Sequence, residues 1–167
     1  GMDYTYTING WLKGMNSSLL NNNYDMGKDG KSGYLSENTE VHHLHAKDVV
    51  SYTLGYFNGD YKAIDVNSQM EAGYYTPQPP PSLGISSAFD QAAKNLYNGN
   101  IRSLVTSIYN IDPAKQTLGT AYSYDQLQRL KSMTAFKYTG SLQTTNDWFN
   151  EIATQDYYNA YTYDKNG

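Results

Sequence analysis

The chain has 167 residues, with 18 Tyr against 4 Phe and 2 Trp, and a formal net charge of -4 from 12 basic and 16 acidic side chains. It holds no basic run that could supply the phosphate neutralisation on which nucleic-acid binding rests. No apolar run approaches the roughly 20 residues of a membrane helix, and the absence of Cys excludes disulfides, thiolate zinc sites and Cys nucleophiles.

The N-terminal stretch Tyr4 to Leu12 places Tyr-x-Tyr before a turn at Gly10, then an aromatic and Leu. It reads as a hairpin of two alternating strands. Residues 21–33 form a polar loop. Asp48 to Ile64 reads as a strand, a turn at Asn58-Gly59 and a return strand. Thr76 to Gly84 is an extended, proline-rich loop. Ser87 can cap a short helix in which Phe89, Ala92, Ala93 and Leu96 share one face, and Asn98-Gly99 stops it. Asn100 to Ile111 reads as a strand ended by Asp112-Pro113. Ala121 to Met133 repeats the N-terminal pattern, with Tyr122, Tyr124, Asp125, Arg129 and Leu130. A second helical turn is expected around Trp148, Phe149 and Ile152. Tyr161-x-Tyr163-Asp164-x-x-Gly167 gives a third copy, and its strand and turn without a return strand suggest a piece of a longer chain.

The composition and these elements predict a mainly β fold, a curved antiparallel sheet of stacked hairpins with loop insertions and one or two short helices. The recurring unit is Tyr-x-Tyr-(Asp)-x-x-(Gly)-(Arg)-(Leu). In it, the Asp side chain caps the turn and the Gly takes a left-handed conformation. Hairpins that cannot bury a face alone are expected to stack as an array. The lead from Tyr124 to Tyr163 is 39 residues, whereas that from Tyr6 to Tyr124 is far longer. One domain spanning 1–167, with a loop and helix insertion around 21–99, accommodates both.

These blocks resemble the Rhs family, or YD-repeat proteins, named for the pair present here as Tyr124-Asp125 and Tyr163-Asp164. The blocks that carry the resemblance run from Tyr4 to Gly167. Three positions depart from it: Thr7 stands for Asp, Trp11 for Arg, and Gln128 for Gly. The resemblance implies a bacterial, secreted or surface-associated protein whose hairpins continue into a long sheet, part of a shell around a toxin or of a stalk. It also implies a link to carbohydrate binding.

Several side-chain groups invite a chemical reading. His43 and His45 share a face if Glu40 to Asp48 is a strand, and could hold a metal with Glu40 or Asp48; a polar loop or edge strand is the plainer account. Asp25 to Glu37 faintly echoes a calcium loop, but Gly27 and Ser36 occupy ligand positions and two Lys oppose a cation. Asp60, Asp65 and Glu71 are carboxylates that nothing in the sequence pairs for glycoside hydrolysis, and no nucleophile or phosphate-loop motif is present. Tyr74, Tyr75, Trp148, Tyr157 and Tyr158 are candidates for stacking on sugar faces, set against the cross-strand aromatic packing that fixes register in sheets.

The resulting expectation is a non-catalytic structural segment without a cofactor. Its partners would be adjacent repeats, copies of itself through sheet edges, and glycan if the exposed aromatics bind it. The motif residues that build it are Tyr4, Tyr6, Gly10, Tyr122, Tyr124, Asp125, Arg129, Leu130, Tyr161, Tyr163, Asp164 and Gly167.

Overall fold

The computed structural model describes residues 2–16, 20, 46, 48–61, 89, 92–109, 117–138, 148–150 and 158–166. They form one antiparallel sheet of eight strands: β1 (Tyr4–Tyr6), β2 (Leu12–Met15), β3 (Val50–Gly55), β4 (Ser103–Ile108), β5 (Thr117–Tyr124), β6 (Leu130–Tyr138), β7 (Trp148–Asn150) and β8 (Tyr158–Ala160). The order in space follows the order in sequence from β1 to β7. β7 and β8 share the second edge of β6: β7 pairs with its end at Phe136 to Tyr138, and β8 with Ser132 to Thr134. The mainly β, antiparallel expectation is met.

Two expectations are corrected. Trp148 and Phe149 belong to a strand, not a helical turn, with Trp148 opposite Tyr138 and Phe149 opposite Lys137. The free edge of β6 supplies backbone partners there, and this outweighs the helix-like spacing of Trp148, Phe149 and Ile152. The turn at Asn58-Gly59 forms, with Gly59 at φ 75. The strand returning alongside β3, however, is β4, which pairs with it from Val50–Ile108 to Gly55–Ser103. β2 lies on the other side of β3, so both its flanks are taken by strands distant in sequence.

The helix expected after Ser87 is present as a turn in which the Ala93 N–H donates to the Phe89 carbonyl at 3.0 Å. It does not run on to Leu96, whose N–H donates instead to the Tyr56 carbonyl at 2.7 Å.

Alternation gives the sheet two unlike faces. The buried one carries small residues: Ser51, Thr53 and Gly55 of β3, Ser103, Val105 and Ser107 of β4, and Thr117, Gly119 and Ala121 of β5. Larger residues such as Tyr52, Leu54, Leu104 and Tyr122 point to the other, half-exposed face. The bulk of the core comes from Phe136, which lies across from Gly119, and from Phe89 on the helical turn. Their rings meet edge to face at 5.1 Å, and Val105, Ala93 and Ala121 complete the cluster.

Removing the Phe136 ring should therefore be costly. Phe136→Ala is expected to lower unfolding stability by about 3–5 kcal/mol, as large-to-small core changes do. Leu127→Ala, at an exposed turn position, should change it by less than about 0.5 kcal/mol. Equilibrium urea unfolding of the two variants checks the difference.

Candidate functional site

The β1–β2 and β5–β6 hairpins are built on the same turn. In the first, the Gly10 N–H donates to the Thr7 carbonyl at 2.9 Å, and the Thr7 N–H to the Trp11 carbonyl at 2.8 Å. In the second, Gln128 and Asp125 repeat these bonds at 3.0 and 2.9 Å, with Arg129 in the place of Trp11. The fourth residue is left-handed in both, Gly10 at φ 78 and Gln128 at φ 62. Each turn is followed by a β-bulge. Thr5 faces Gly14 and Tyr6 faces Leu12, so Lys13 is the extra residue. Ser123 faces Ser132 and Tyr124 faces Leu130, so Lys131 is the extra residue.

The departures from the repeat pattern leave this geometry standing. Asp125 Oδ1 accepts the N–H groups of Leu127 and Arg129 at 2.9 and 3.0 Å, and its Oδ2 accepts Arg129 Nε at 2.8 Å. The hydrogen bond from the Arg129 N–H, above all, and those from its guanidinium and from Leu127 hold the Asp125 carboxyl below the usual carboxylate range, against a desolvation effect of the opposite sign. Thr7 does the first part of this work with a hydroxyl, since Oγ1 accepts the Trp11 N–H at 3.1 Å. In the third copy, Asp164 Oδ1 accepts the Asn166 N–H at 2.9 Å, which matches the Asp125–Leu127 bond.

In the second and third copies the tyrosine that precedes the turn docks just before or at the start of a neighbouring strand. Tyr124 Oη donates to the Ile101 carbonyl at 2.8 Å, and Tyr163 Oη to the Leu130 carbonyl at 2.6 Å. The first tyrosine of these two Tyr-x-Tyr segments adds a backbone bond one residue further along: Tyr122 N–H to the Arg102 carbonyl at 2.8 Å, and Tyr161 N–H to the Lys131 carbonyl at 2.9 Å. Tyr-x-Tyr is thus a two-point clamp, made twice with the same atoms. Tyr56 makes the hydroxyl half of it, donating to the Leu12 carbonyl at 2.8 Å. The sequence pattern missed Tyr56 because Leu54 stands where the first tyrosine would be. The available signal was a tyrosine directly before an Asn-Gly turn.

The residue after the left-handed position lays a flat group on the docking tyrosine. The guanidinium of Arg129 sits 4.4 Å from the Tyr163 ring centre, a cation–π contact. Trp11, its counterpart, lies 5.0 Å from the Tyr56 ring. Leu12 and Leu130, the next residues, present the carbonyls that accept the phenols. At the far edge of β1, Tyr4 and Tyr6 are exposed.

Beside this seam lies a buried ion pair. Lys13 Nζ is 2.7 Å from Asp60 Oδ1, with side-chain exposures of 0% and 5%. Asp60 Oδ2 accepts the Tyr56 N–H at 2.8 Å. Burial lowers the Lys13 ammonium from its usual range; Asp60 opposes that shift and the nearby Arg102 adds to it. The pairing removes Asp60 from the carboxylates considered for hydrolysis.

Of the glycan candidates, Tyr158 lies on β8 opposite Thr134 and is half exposed, and Trp148 is on β7. Tyr74, Tyr75, Tyr157, His43, His45, Asp65, Glu71, Gly167 and the whole of 25–37 lie outside the described residues. Among the described residues no group of three or more His, Asp or Glu could hold a metal ion. The chain matches no protein-family model, no curated protein and no solved structure.

Three outcomes follow from the seam. Gln128→Gly removes a Cβ from a left-handed position and should stabilise the protein by about 1 kcal/mol, read as a raised denaturation midpoint. Tyr124→Phe and Tyr56→Phe should each cost about 1 kcal/mol, the net worth of one hydrogen bond. Burial, with Tyr122 beside Tyr124 and Asp60 beside Tyr56, raises both phenols above their ordinary value. A raised folded pKa means that their stabilisation is complete below about pH 10, the unfolded value, and is lost as pH rises through the folded one. Denaturant midpoints measured from neutral to alkaline pH should fall above that point, and less steeply in the double phenylalanine variant.

Proposed function

We propose that this chain is an architectural, non-catalytic array of YD-type hairpins, of the kind the Rhs resemblance implies, and that it serves a surface or toxin-associated bacterial protein as part of a sheet-built wall or stalk. The observation that carries the reading is the repeated clamp. Tyr122 and Tyr124 grip the residues before β4 through the same pair of bonds by which Tyr161 and Tyr163 grip the start of β6. Conserving bond positions while exchanging side chains, Asp125 for Thr7 and Arg129 for Trp11, is what a repeated structural unit does. Among the described residues, three charged groups are engaged within the sheet: Asp125 caps a turn, Arg129 stacks on a ring, and Asp60 is paired with Lys13.

Its partners in this reading are further hairpins added at the sheet's edges. Among the described residues, β1 pairs only with β2, and an unpaired strand edge is a template for another strand. Carbohydrate binding has narrower support. Tyr158 is the one stacking candidate whose side chain is described, and its exposure alone names no ligand.

The test is light scattering with size exclusion over a concentration series. Self-association is expected, and Tyr4→Lys with Tyr6→Lys should weaken it by placing charge along the β1 edge. A monodisperse monomer at every concentration would count against edge pairing.

A further inference from the structure

Lys13 is the least expected residue of the sheet. It occupies the bulge of β2, and its counterpart in the second hairpin, Lys131, is exposed. Lys13 is instead wholly buried against the Asp60 carboxyl. Arg102, buried nearby, has acceptors of its own: its guanidinium donates to the Ala93 carbonyl at 2.9 Å and to Asn95 Oδ1 at 2.8 Å. Holding an ammonium and a carboxylate out of water carries a large desolvation cost. Burial and the Arg102 charge both favour the neutral amine.

We propose that Lys13 and Asp60 condense into an isopeptide bond, an amide cross-link between β2 and the turn that follows β3. The existing contact supplies the parts. The Lys13 ammonium passes a proton to Asp60 Oδ1 along their hydrogen bond, which leaves an amine and a carboxylic acid. The amine lone pair then attacks Cγ from above the carboxyl plane, forming the C–N bond. The Tyr56 N–H, already on Oδ2, stabilises the oxygen that becomes negative, as an oxyanion-hole donor does. The nitrogen gives up a second proton to the departing Oδ1 hydroxyl, the Cγ–Oδ1 bond breaks, and one water leaves. Ammonium and carboxylate go in; one neutral amide and one water come out. Two buried charges disappear, and Oδ2 keeps its hydrogen bond as the amide oxygen. Reaction between groups fixed in contact draws on the high effective concentrations of intramolecular chemistry. The product closes the chain between 13 and 60 into a covalent loop.

The deciding experiment is intact-mass spectrometry of the purified chain after full denaturation, followed by proteolysis and fragment sequencing. The expected result is a mass one water below that of the sequence, and a branched peptide joining the fragments that carry Lys13 and Asp60. Lys13→Arg keeps a cation beside Asp60 but supplies no nucleophilic amine at ordinary pH, and should show the full mass. If that variant does not fold, the branched peptide of the unaltered chain decides alone. A full sequence mass overturns the proposal. So does a one-water loss mapped elsewhere, such as an imide at Asp29-Gly30.

Discussion

The structure depends on how one strand's end is tied to the next strand's beginning. A turn with a left-handed fourth residue must be followed by a bulge if the strands are to stay paired, and a bulge locally disrupts the ladder. Backbone carbonyls left over at such a place need another donor, because unpaired polar groups are costly where water is excluded. The phenol is a rigid donor long enough to reach across one inter-strand spacing. That need is met beside the two bulges by Tyr56 and Tyr163, whose hydroxyls reach the Leu12 and Leu130 carbonyls, and Tyr124 makes the same bond to the Ile101 carbonyl just before β4. Part of the chain's strong tyrosine bias is therefore a hydrogen-bonding requirement.

The inner face answers a different constraint. Ser, Thr, Gly and Ala make a low floor across β3, β4 and β5, and two phenylalanines stand on it. A floor of small side chains lets bulky groups approach the backbone closely, and glycine is the residue paired with Phe136. It also permits hydroxyl pairs across strands, such as Ser107 with Thr117 at 2.7 Å. The large residues thus sit on the wetter side, where tyrosine's polar tip is no burden.

The hairpin pattern was legible in the sequence because its parts are local: alternation, a turn residue, and an acceptor side chain at fixed spacing. The seam was less so. Tyr-x-Tyr marked the end of β5 at 122–124, whereas at 161–163 it follows β8, which ends at Ala160; the target of each hydroxyl lies in a distant segment and no spacing announces it. Tyr56 was hidden by Leu54, although only the second tyrosine is needed for the hydroxyl bond. Trp148 and Phe149 misled because three apolar residues at helical spacing carry no information about an available strand edge. Lys13 was invisible for a similar reason. A bulge breaks the two-residue period, so alternation cannot say where the extra residue points.

The exchanges between copies show what each position demands. Thr7 and Asp125 share an oxygen that can accept the N–H four residues on, so the demand is an acceptor, not a charge. Gly10 and Gln128 share a left-handed backbone, met once without strain and once with it. Trp11 and Arg129 share little chemistry beyond a flat surface, and both lie on the tyrosine that docks next to them. Both contacts suit a tyrosine ring, which attracts a tilted aromatic neighbour or a delocalised cation. Lys13 and Lys131 mark the limit of that tolerance. The backbone position is the same, yet one amine lies in solvent and the other is enclosed by Asp60 and Arg102. A repeated frame fixes where a side chain starts. What surrounds its end is set by the neighbours, and of these two positions it is Lys13 whose neighbours bring a carboxyl into contact with a buried amine.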